Sequence, residues 1–313
     1  MTVTDSAPAR LRNRVTATAA IVLIAIGGAG LATSADRPAT DAGRPELSAH
    51  GDQLAASWIQ AMDSQSHAVA DRVDAVSQHG RDLLAQLSSL DPTRIADGLA
   101  AGDEAGSDLG IAAQTLSDLR YAGPAGLDER RLSQANQARL GAIDDLIGAA
   151  VPMPGTWHTM SGGGRELSRL LVALLSHDGL VFRATNAGRE SDWPAALGLA
   201  REAADALADG RSVRDALSLT SEVSTLDDLL GRYSAYDTAL EDMYRALRRG
   251  ADPSSAQVQA LRDRVEETAS ALPADDSDLK SVIEQATGAW IADGVATLEG
   301  ARGKADQAVA LLP

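Results

Sequence analysis

The sequence predicts an all-α protein, and two features of its composition and one of its patterning indicate this class. Only 3% of the 313 residues are aromatic, so any core must be built from aliphatic side chains and from alanine, the strongest helix former. Runs of β-branched residues are almost absent after the first 35 residues. Finally, apolar residues recur over long stretches at the seven-residue spacing of packed helices.

The first such stretch begins near His50. Its apolar residues form two interleaved seven-residue series, the second of which contains the small residues Ser66 and Gly80. The members of the two series are Met62, Val69, Val76, Leu83 and Leu90, and Ile59, Ser66, Val73, Gly80 and Leu87. This pattern predicts one long helix with a buried stripe, and the small residues favour close approach of a neighbouring helix.

The second stretch is more regular and predicts a helix that starts near Ser224 and ends near Gly250. Its two series are Leu226, Tyr233, Leu240 and Leu247, and Leu229, Tyr236 and Met243. Ser224 and Asp227 resemble a capping box, and the arginines before Gly250 suit a helix C-terminus. The spacing places Tyr233 and Tyr236 in the core and Tyr244 on its flank.

Helix-start and loop signals in the remaining sequence predict the other helices. Asp-Pro pairs at 91–92 and 252–253 predict helix starts, and loops are predicted at 98–110, 121–126, 151–164 and 187–192. Leu167–Leu175 is the most apolar part of the body and is predicted to be a central, shielded helix. Residues 50–313 are therefore expected to form an antiparallel bundle of about eight helices with coiled-coil-like seams. A division near 150–164 would give two sub-bundles.

The N-terminal 35 residues predict export of everything that follows them. Arg10, Arg12 and Arg14 precede 21 uncharged residues, Val15–Ala35, which suit either a cleaved signal peptide or an uncleaved transmembrane anchor. An anchor would leave the N-terminus in the cytoplasm, whereas cleavage near Ala35 would release the body. In both cases residues 36–49 are predicted to be a flexible linker, and the body is predicted to be extracytoplasmic.

Charge and cysteine content exclude several functions. Residues 36–313 contain 25 basic and 43 acidic residues, a net charge of about −18, which disfavours nucleic-acid binding. The chain has no cysteine, which excludes disulfides, thiolate metal sites and a cysteine nucleophile. We expect no metal and no cofactor, because the five histidines form no HExxH or ExxH pair.

Two candidate sites remain. Ser277 and Lys280 match the S-x-x-K spacing of a serine nucleophile with a lysine base, but the partner motifs are missing and Ser277 suits a helix cap. A glycine-rich loop is the first choice for a small-ligand site, because backbone N–H groups before a helix can hold an anion. The residues assigned to this ligand loop, with a histidine from the following helix, are Trp157, His158, Ser161, Arg165 and His177.

The sequence therefore favours a non-enzymatic, extracytoplasmic helical-bundle protein of the cell envelope. It would be membrane-tethered or secreted and would act through protein partners or self-association. A small-ligand-sensing helical domain that works through a partner protein is the alternative hypothesis. An enzyme ranks third, with Ser277, Lys280 and His177 as its candidate residues.

Overall fold

The computed structural model describes residues 45–87, 89–218, 223–274 and 276–312. Within these residues the chain forms eight α-helices, a short 3-10 helix at Glu129–Arg131 and no β-strand, which confirms the all-α prediction. The helices are α1 (Pro45–Leu87), α2 (Pro92–Tyr121), α3 (Gln134–Ala150), α4 (Met153–Arg189), α5 (Trp193–Leu217), α6 (Ser224–Arg248), α7 (Ala256–Ser270) and α8 (Asp276–Val309). The predicted signal or anchor at Val15–Ala35 lies outside the described residues, and no helix within them is long and apolar enough to cross a membrane.

Several helix starts follow from short polar side chains that accept backbone N–H groups. Asp91 accepts the N–H of Thr93 at 3.0 Å, as its Asp-Pro pair predicts. One predicted start, that of α7, and one predicted cap, that of α6, need correction, although α6 begins at Ser224 as predicted. Helix α7 begins at Ala256, because Asp252 closes a turn onto the N–H of Ser254 at 2.8 Å and Ser255 is the cap. The N-cap of α6 is Val223, and no side chain caps this helix.

The first helix starts earlier than predicted. Helix α1 begins at Pro45, although the predicted linker extends to residue 49. Proline suits the first helical position, because its missing N–H would have no intrahelical acceptor there and its φ is already helical. The rest of the predicted linker, residues 36–44, lies outside the described residues.

Two predicted loops, 98–110 and 151–164, are wrong, because both segments are helical. At two of their glycines, Gly102 and Gly163, a large ring lies directly on the helix backbone. A Cβ at Gly102 would overlap the indole of Trp157, and a Cβ at Gly163 would overlap that of Trp290. Glycine is retained in these helices because close packing requires the missing side chain, and not because the chain turns there. The predicted loop after Tyr121 is confirmed, whereas α4 continues to Arg189, inside the predicted loop at 187–192.

The chain divides into two compact units. Of the described residues, unit 1 contains 45–78, 104–156 and 296–312, and unit 2 contains 79–87, 89–103, 157–218, 223–274 and 276–295. One boundary, at 156/157, falls within the predicted division at 150–164. The other boundaries fall inside α1, α2 and α8, so the units are not two consecutive stretches of chain.

Unit 1 is held together by an aliphatic core and by polar contacts from α1. The Trp58 indole donates to the Leu119 carbonyl at 2.6 Å, and the Ser77 hydroxyl donates to Glu299 at 2.5 Å. Its core includes buried side chains from α1, α2, α3 and α8, among them Val69, Val73, Leu109, Leu116, Ile143, Leu146 and Leu298. The series predicted for α1 is buried as expected as far as Leu87.

In unit 2, helices α4 to α7 share a core. One cluster of buried residues consists of Ala184, Ala196, Leu197, Ala200, Leu240, Tyr244, Leu247 and Val258. The α6 series beginning at Leu226 is buried as predicted. The second α6 series begins as predicted with Leu229, which is fully buried. Beyond Leu229 the buried positions are shifted by one residue, because Asp237 and Tyr244 are buried whereas Tyr236 and Met243 are only half-buried. Tyr244 is not a flank residue, since its ring lies against Gly188 of α4.

Candidate functional sites

The five residues of the predicted ligand loop all lie on helix α4, and three of them converge on an acidic side chain of α2. Trp157, Ser161 and Arg165 are four residues apart and share one face of α4. The Trp157 indole donates to Asp103 Oδ1 at 2.9 Å, and Arg165 forms an ion pair with Oδ2 of the same carboxylate. Burial alone would raise the pKa of Asp103, but the hydrogen bonds from Trp157 and Arg165 outweigh burial and lower it.

This cluster joins two helices and does not form an open loop. Ser161 is fully buried and donates to the His158 carbonyl at 3.2 Å, whereas the His158 side chain is exposed. His177 lies twelve residues beyond Arg165 along α4, too far to join the cluster. The sequence interpretation misses Asp103, because nothing in the local pattern indicates a partner 54 residues away.

His177 belongs to a second buried polar cluster, which links α4 to α6. Its Nε2 is 2.8 Å from Asp237 Oδ1 and its Nδ1 is 2.9 Å from Asp178 Oδ1. Its ring meets the Tyr233 ring edge to face, with 4.9 Å between centroids. The His177 and Asp237 side chains are only 1% and 4% exposed, so the pair is shielded from solvent.

The electrostatics of this cluster favour a buried cation. Burial alone would lower the pKa of His177, but the hydrogen bonds and charges of Asp178 and Asp237 outweigh burial and raise it to about 9. Burial raises the pKa of Tyr233 to about 12, so its phenol remains neutral. The imidazolium and Asp237 form an ion pair inside an apolar core, where the pair can hold two helices in register.

Asp237 could have been found in the sequence. It occupies the apolar stripe of α6 at the correct spacing, as the one charged member of a series otherwise made of leucine and tyrosine. That series is Leu226, Leu230, Tyr233, Asp237, Leu240, Tyr244 and Leu247. His177 interrupts the stripe of α4 in the same way, after Leu167, Leu170 and Leu174. Two polar interruptions in two apolar stripes suggest a buried pair.

The remaining catalytic candidates, Ser277 and Lys280, both lie near the start of α8. Ser277 lies in the first turn of α8, and the Lys280 ammonium is 3.8 Å from Glu284 on the same helix. Across the described residues, no group of three or more histidine, aspartate or glutamate side chains is arranged to hold a metal ion.

Unit 1 contains an open cleft of about 650 Å³ between α1, α2 and α3. At its centre the Arg120 guanidinium lies over the Trp58 ring, 5.7 Å from the ring centroid. It donates to both oxygens of Asp144 at 2.8 and 3.1 Å and to both oxygens of Glu129 at 2.6 and 3.1 Å. The apolar side chains of Pro124, Leu127 and Ile147 also line the cleft. Tyr121 is a further lining residue and is 85% exposed. We call this feature the Arg120 cleft.

Helix α4 also has an exposed apolar surface. Val172, Leu175 and Phe182 are 53%, 57% and 66% exposed and, together with Gly179, lie on one face of the helix. We call these four residues the α4 stripe. The prediction of a helix shielded on several sides is therefore wrong for this face, although Leu167, Leu170, Leu171 and Leu174 are buried as expected.

The described residues thus define an all-α helical protein with one mixed polar and apolar cleft and one exposed apolar helix face. No protein-family model matches the chain, and no curated protein or solved structure matches it either.

Proposed function

We propose that this chain is a non-enzymatic helical-bundle protein of the cell envelope, which acts outside the cytoplasm by associating with a second copy of itself. The α4 stripe is the observation that carries the proposal. Two further features support it. The basic and apolar N-terminal sequence is typical of an exported chain. The clusters around Asp103 and His177 join helices to one another, which is a structural use of side chains that could otherwise perform chemistry.

The composition of the chain makes the α4 stripe unusual. Phe182 is the single phenylalanine in 313 residues, yet it is 66% exposed on a helix whose opposite face is buried. Single exposed apolar residues are normal on protein surfaces, whereas neighbouring ones mark interaction sites. Aromatic side chains are also enriched at the centres of protein interfaces.

The spacing of the stripe fits a parallel pair of α4 helices. Val172 and Gly179 occupy one core position of a heptad, and Leu175 and Phe182 occupy the other. Asp178 and Arg183, both exposed, flank the stripe on opposite sides and are five residues apart. In a parallel helix pair these flanking positions face each other across the interface, so Asp178 of one copy would meet Arg183 of the other. Charge complementarity therefore favours a second copy as the occupant.

A contact through one helix face is small, so we expect weak association in dilute solution. A membrane anchor would raise the effective concentration of the body by confining copies to one surface. The anchor and the α4 stripe would thus act together: tethering would make a weak contact sufficient.

Cysteine cross-linking of the full-length chain in its own membranes or medium tests the proposal. The chain has no cysteine, so a disulfide between two copies of the Leu175→Cys chain can form only between the two introduced thiols. A disulfide needs two Cβ atoms within about 4.5 Å, which core positions of a parallel pair approach. We expect Leu175→Cys to give a covalent dimer on oxidation. Ile111 is as exposed as Phe182 (66%) but lies outside the α4 stripe, so we expect Ile111→Cys to give little covalent dimer.

Charge reversal on the flank provides the matched control. Arg183→Asp would place an acid opposite the second copy's Asp178, so we expect several-fold less dimer from Leu175→Cys. Arg169→Asp changes the same flank, but the residue five positions earlier is Gly164, so the yield should be unchanged. Equal cross-linking at positions 111 and 175, or equal effects of the two reversals, would argue against self-association through α4.

The alternative function is small-ligand sensing through a partner protein. The Arg120 cleft favours it, because a cleft with converging polar groups and apolar walls is typical of a ligand site. This alternative does not conflict with self-association, since the cleft belongs to unit 1 and the α4 stripe to unit 2.

A further inference from the structure

The Arg120 cleft carries a net negative charge that its own arginine does not cancel. Arg120 is the only cation among the lining residues, and Glu129 and Asp144 are the two anions. Four N–H groups of Arg120 are bound, two to each carboxylate, and its side chain is only 13% exposed. Arginine has five N–H groups, so a ligand anion would find at most one of them unbound and would meet two carboxylates as well.

The two carboxylates still have acceptor capacity. Each carboxylate offers about four acceptor positions, of which Arg120 uses two. The side chains of Glu129 and Asp144 are 48% and 52% exposed, so the other positions are open to solvent. Arg120 thus fixes two acceptors beside each other without occupying them, which is suitable for an ammonium or guanidinium group with several N–H donors.

The walls of the cleft suit an apolar body attached to that cation. Pro124, Leu127 and Ile147 supply aliphatic surface. Tyr121 is one of nine aromatic residues in the chain; it lines the same cleft as the carboxylates and is 85% exposed. The face of an exposed tyrosine ring attracts an organic cation within about 6 Å of its centroid.

From these contacts we infer that the Arg120 cleft binds a small organic cation, an ammonium or guanidinium group on an apolar body, held between Glu129, Asp144 and Tyr121. The inference rests on the ligand-sensing function and names its ligand class. It is independent of self-association through α4, so the cross-linking result stands whether or not a ligand binds.

Titration of the full-length chain with phenethylammonium, followed by heteronuclear NMR, tests the inference. The chain has four tryptophans, and the Trp58 indole N–H lies at the cleft, so its resonance reports binding there. We expect saturable shifts of the Trp58 signal with phenethylammonium. We expect much weaker shifts with phenylpropionate, which has a similar body and the opposite charge, and with methylammonium, which lacks the body.

Substitutions on neighbouring residues separate a built site from general attraction to an acidic surface. Asp144→Asn should weaken binding about tenfold through loss of a charged hydrogen bond, whereas Asp145→Asn, an exposed neighbour outside the cleft, should leave it unchanged. Tyr121→Ala removes an exposed ring without touching the core and should weaken binding a few-fold. The inference is overturned if phenethylammonium leaves Trp58 unshifted, if phenylpropionate binds equally, or if Asp144→Asn and Asp145→Asn have the same effect.

Discussion

His177→Leu is expected to lower the free energy of unfolding by about 3 to 5 kcal/mol, because it leaves Asp237 buried without its cationic partner. Asp237 Oδ2 already has no hydrogen-bond partner among the described residues, so this carboxylate has little to compensate for the loss of the imidazolium. Asp237→Leu should be costly for the converse reason, since it removes the more buried of the two acids that hold His177. Chemical denaturation followed by helical circular dichroism measures both effects.

The double variant His177→Leu with Asp237→Leu separates an ion-pair effect from a packing defect. Replacing both members of a buried pair by apolar residues is often neutral or stabilising. We therefore expect the double variant to unfold within about 2 kcal/mol of the unsubstituted chain. A double variant as unstable as the sum of the singles would show that shape at these positions, and not charge, determines the stability.

The pH dependence of stability gives an independent check of the same pair. The pKa of His177 rises from 6.5 to about 9 on folding, so its contribution is complete below pH 6.5 and is lost as the pH rises through 9. This difference between the unfolded and folded pKa of His177 corresponds to about 3 kcal/mol of stability, which is lost between pH 6.5 and 9. Tyr233, the ring beside it, has a pKa of about 12 and titrates above the interval. The double variant should lack this alkaline loss.

Gly102→Ala is expected to destabilise the protein by about 2 to 4 kcal/mol, although alanine is the better helix former. The new methyl group would overlap the Trp157 ring, which is 2% exposed and cannot move without leaving its hydrogen bond to Asp103. Displacing this indole would therefore cost both packing and a charge-assisted hydrogen bond.

Gly198→Ala is the matched control for this substitution. Gly198 lies in helix α5 and is exposed. Among the described residues, no neighbouring atom lies within 4 Å of the position that the new methyl group would take. We expect this substitution to stabilise the protein by about 0.5 to 1 kcal/mol through helix propensity alone. Thermal or chemical unfolding of both variants should thus give shifts of opposite sign, and two shifts of the same sign would contradict the packing described for Trp157.

The helical class was predictable because it depends on composition and local spacing. The buried stripe of α6, from Leu226 to Leu247, follows from a seven-residue period that needs no knowledge of its neighbours. The choice between Tyr236 and Tyr244 was not predictable in the same way. Residues three and four positions along a helix both lie near the stripe, and only the contact of Tyr244 with Gly188 decides between them.

The glycines show a second limit. The sequence around Gly102 and Gly163 suits a loop, since glycine weakens a helix by about 1 kcal/mol relative to alanine. The partners that explain both glycines, Trp157 and Trp290, are distant in sequence, so the local pattern carries no sign of them. The exposed face of α4 is similar: an apolar segment at Leu167–Leu175 predicts burial, and a free face is visible only when the whole bundle is present.

The same difference between local spacing and contacts distant in sequence applies to the site residues. Trp157, Ser161 and Arg165 share a helix face only because the segment is helical, and the predicted loop concealed this spacing. Their common partner, Asp103, could not be predicted from the local sequence. The Arg120 cleft has no signal in the sequence, since Trp58, Arg120 and Asp144 come from three helices and no short motif contains them.

The central claim is that the helical body works outside the cytoplasm, and thiol labelling in intact cells tests it most directly. The chain has no native cysteine, so Gln257→Cys, at an exposed position of α7, can be labelled alone with a membrane-impermeant maleimide. Ser6→Cys, before the three arginines, is the comparison. We predict that Gln257→Cys is labelled in intact cells or in the medium, while Ser6→Cys is protected until the cells are opened or is lost from the mature chain. Labelling of Gln257→Cys only after the cells are opened would contradict the account.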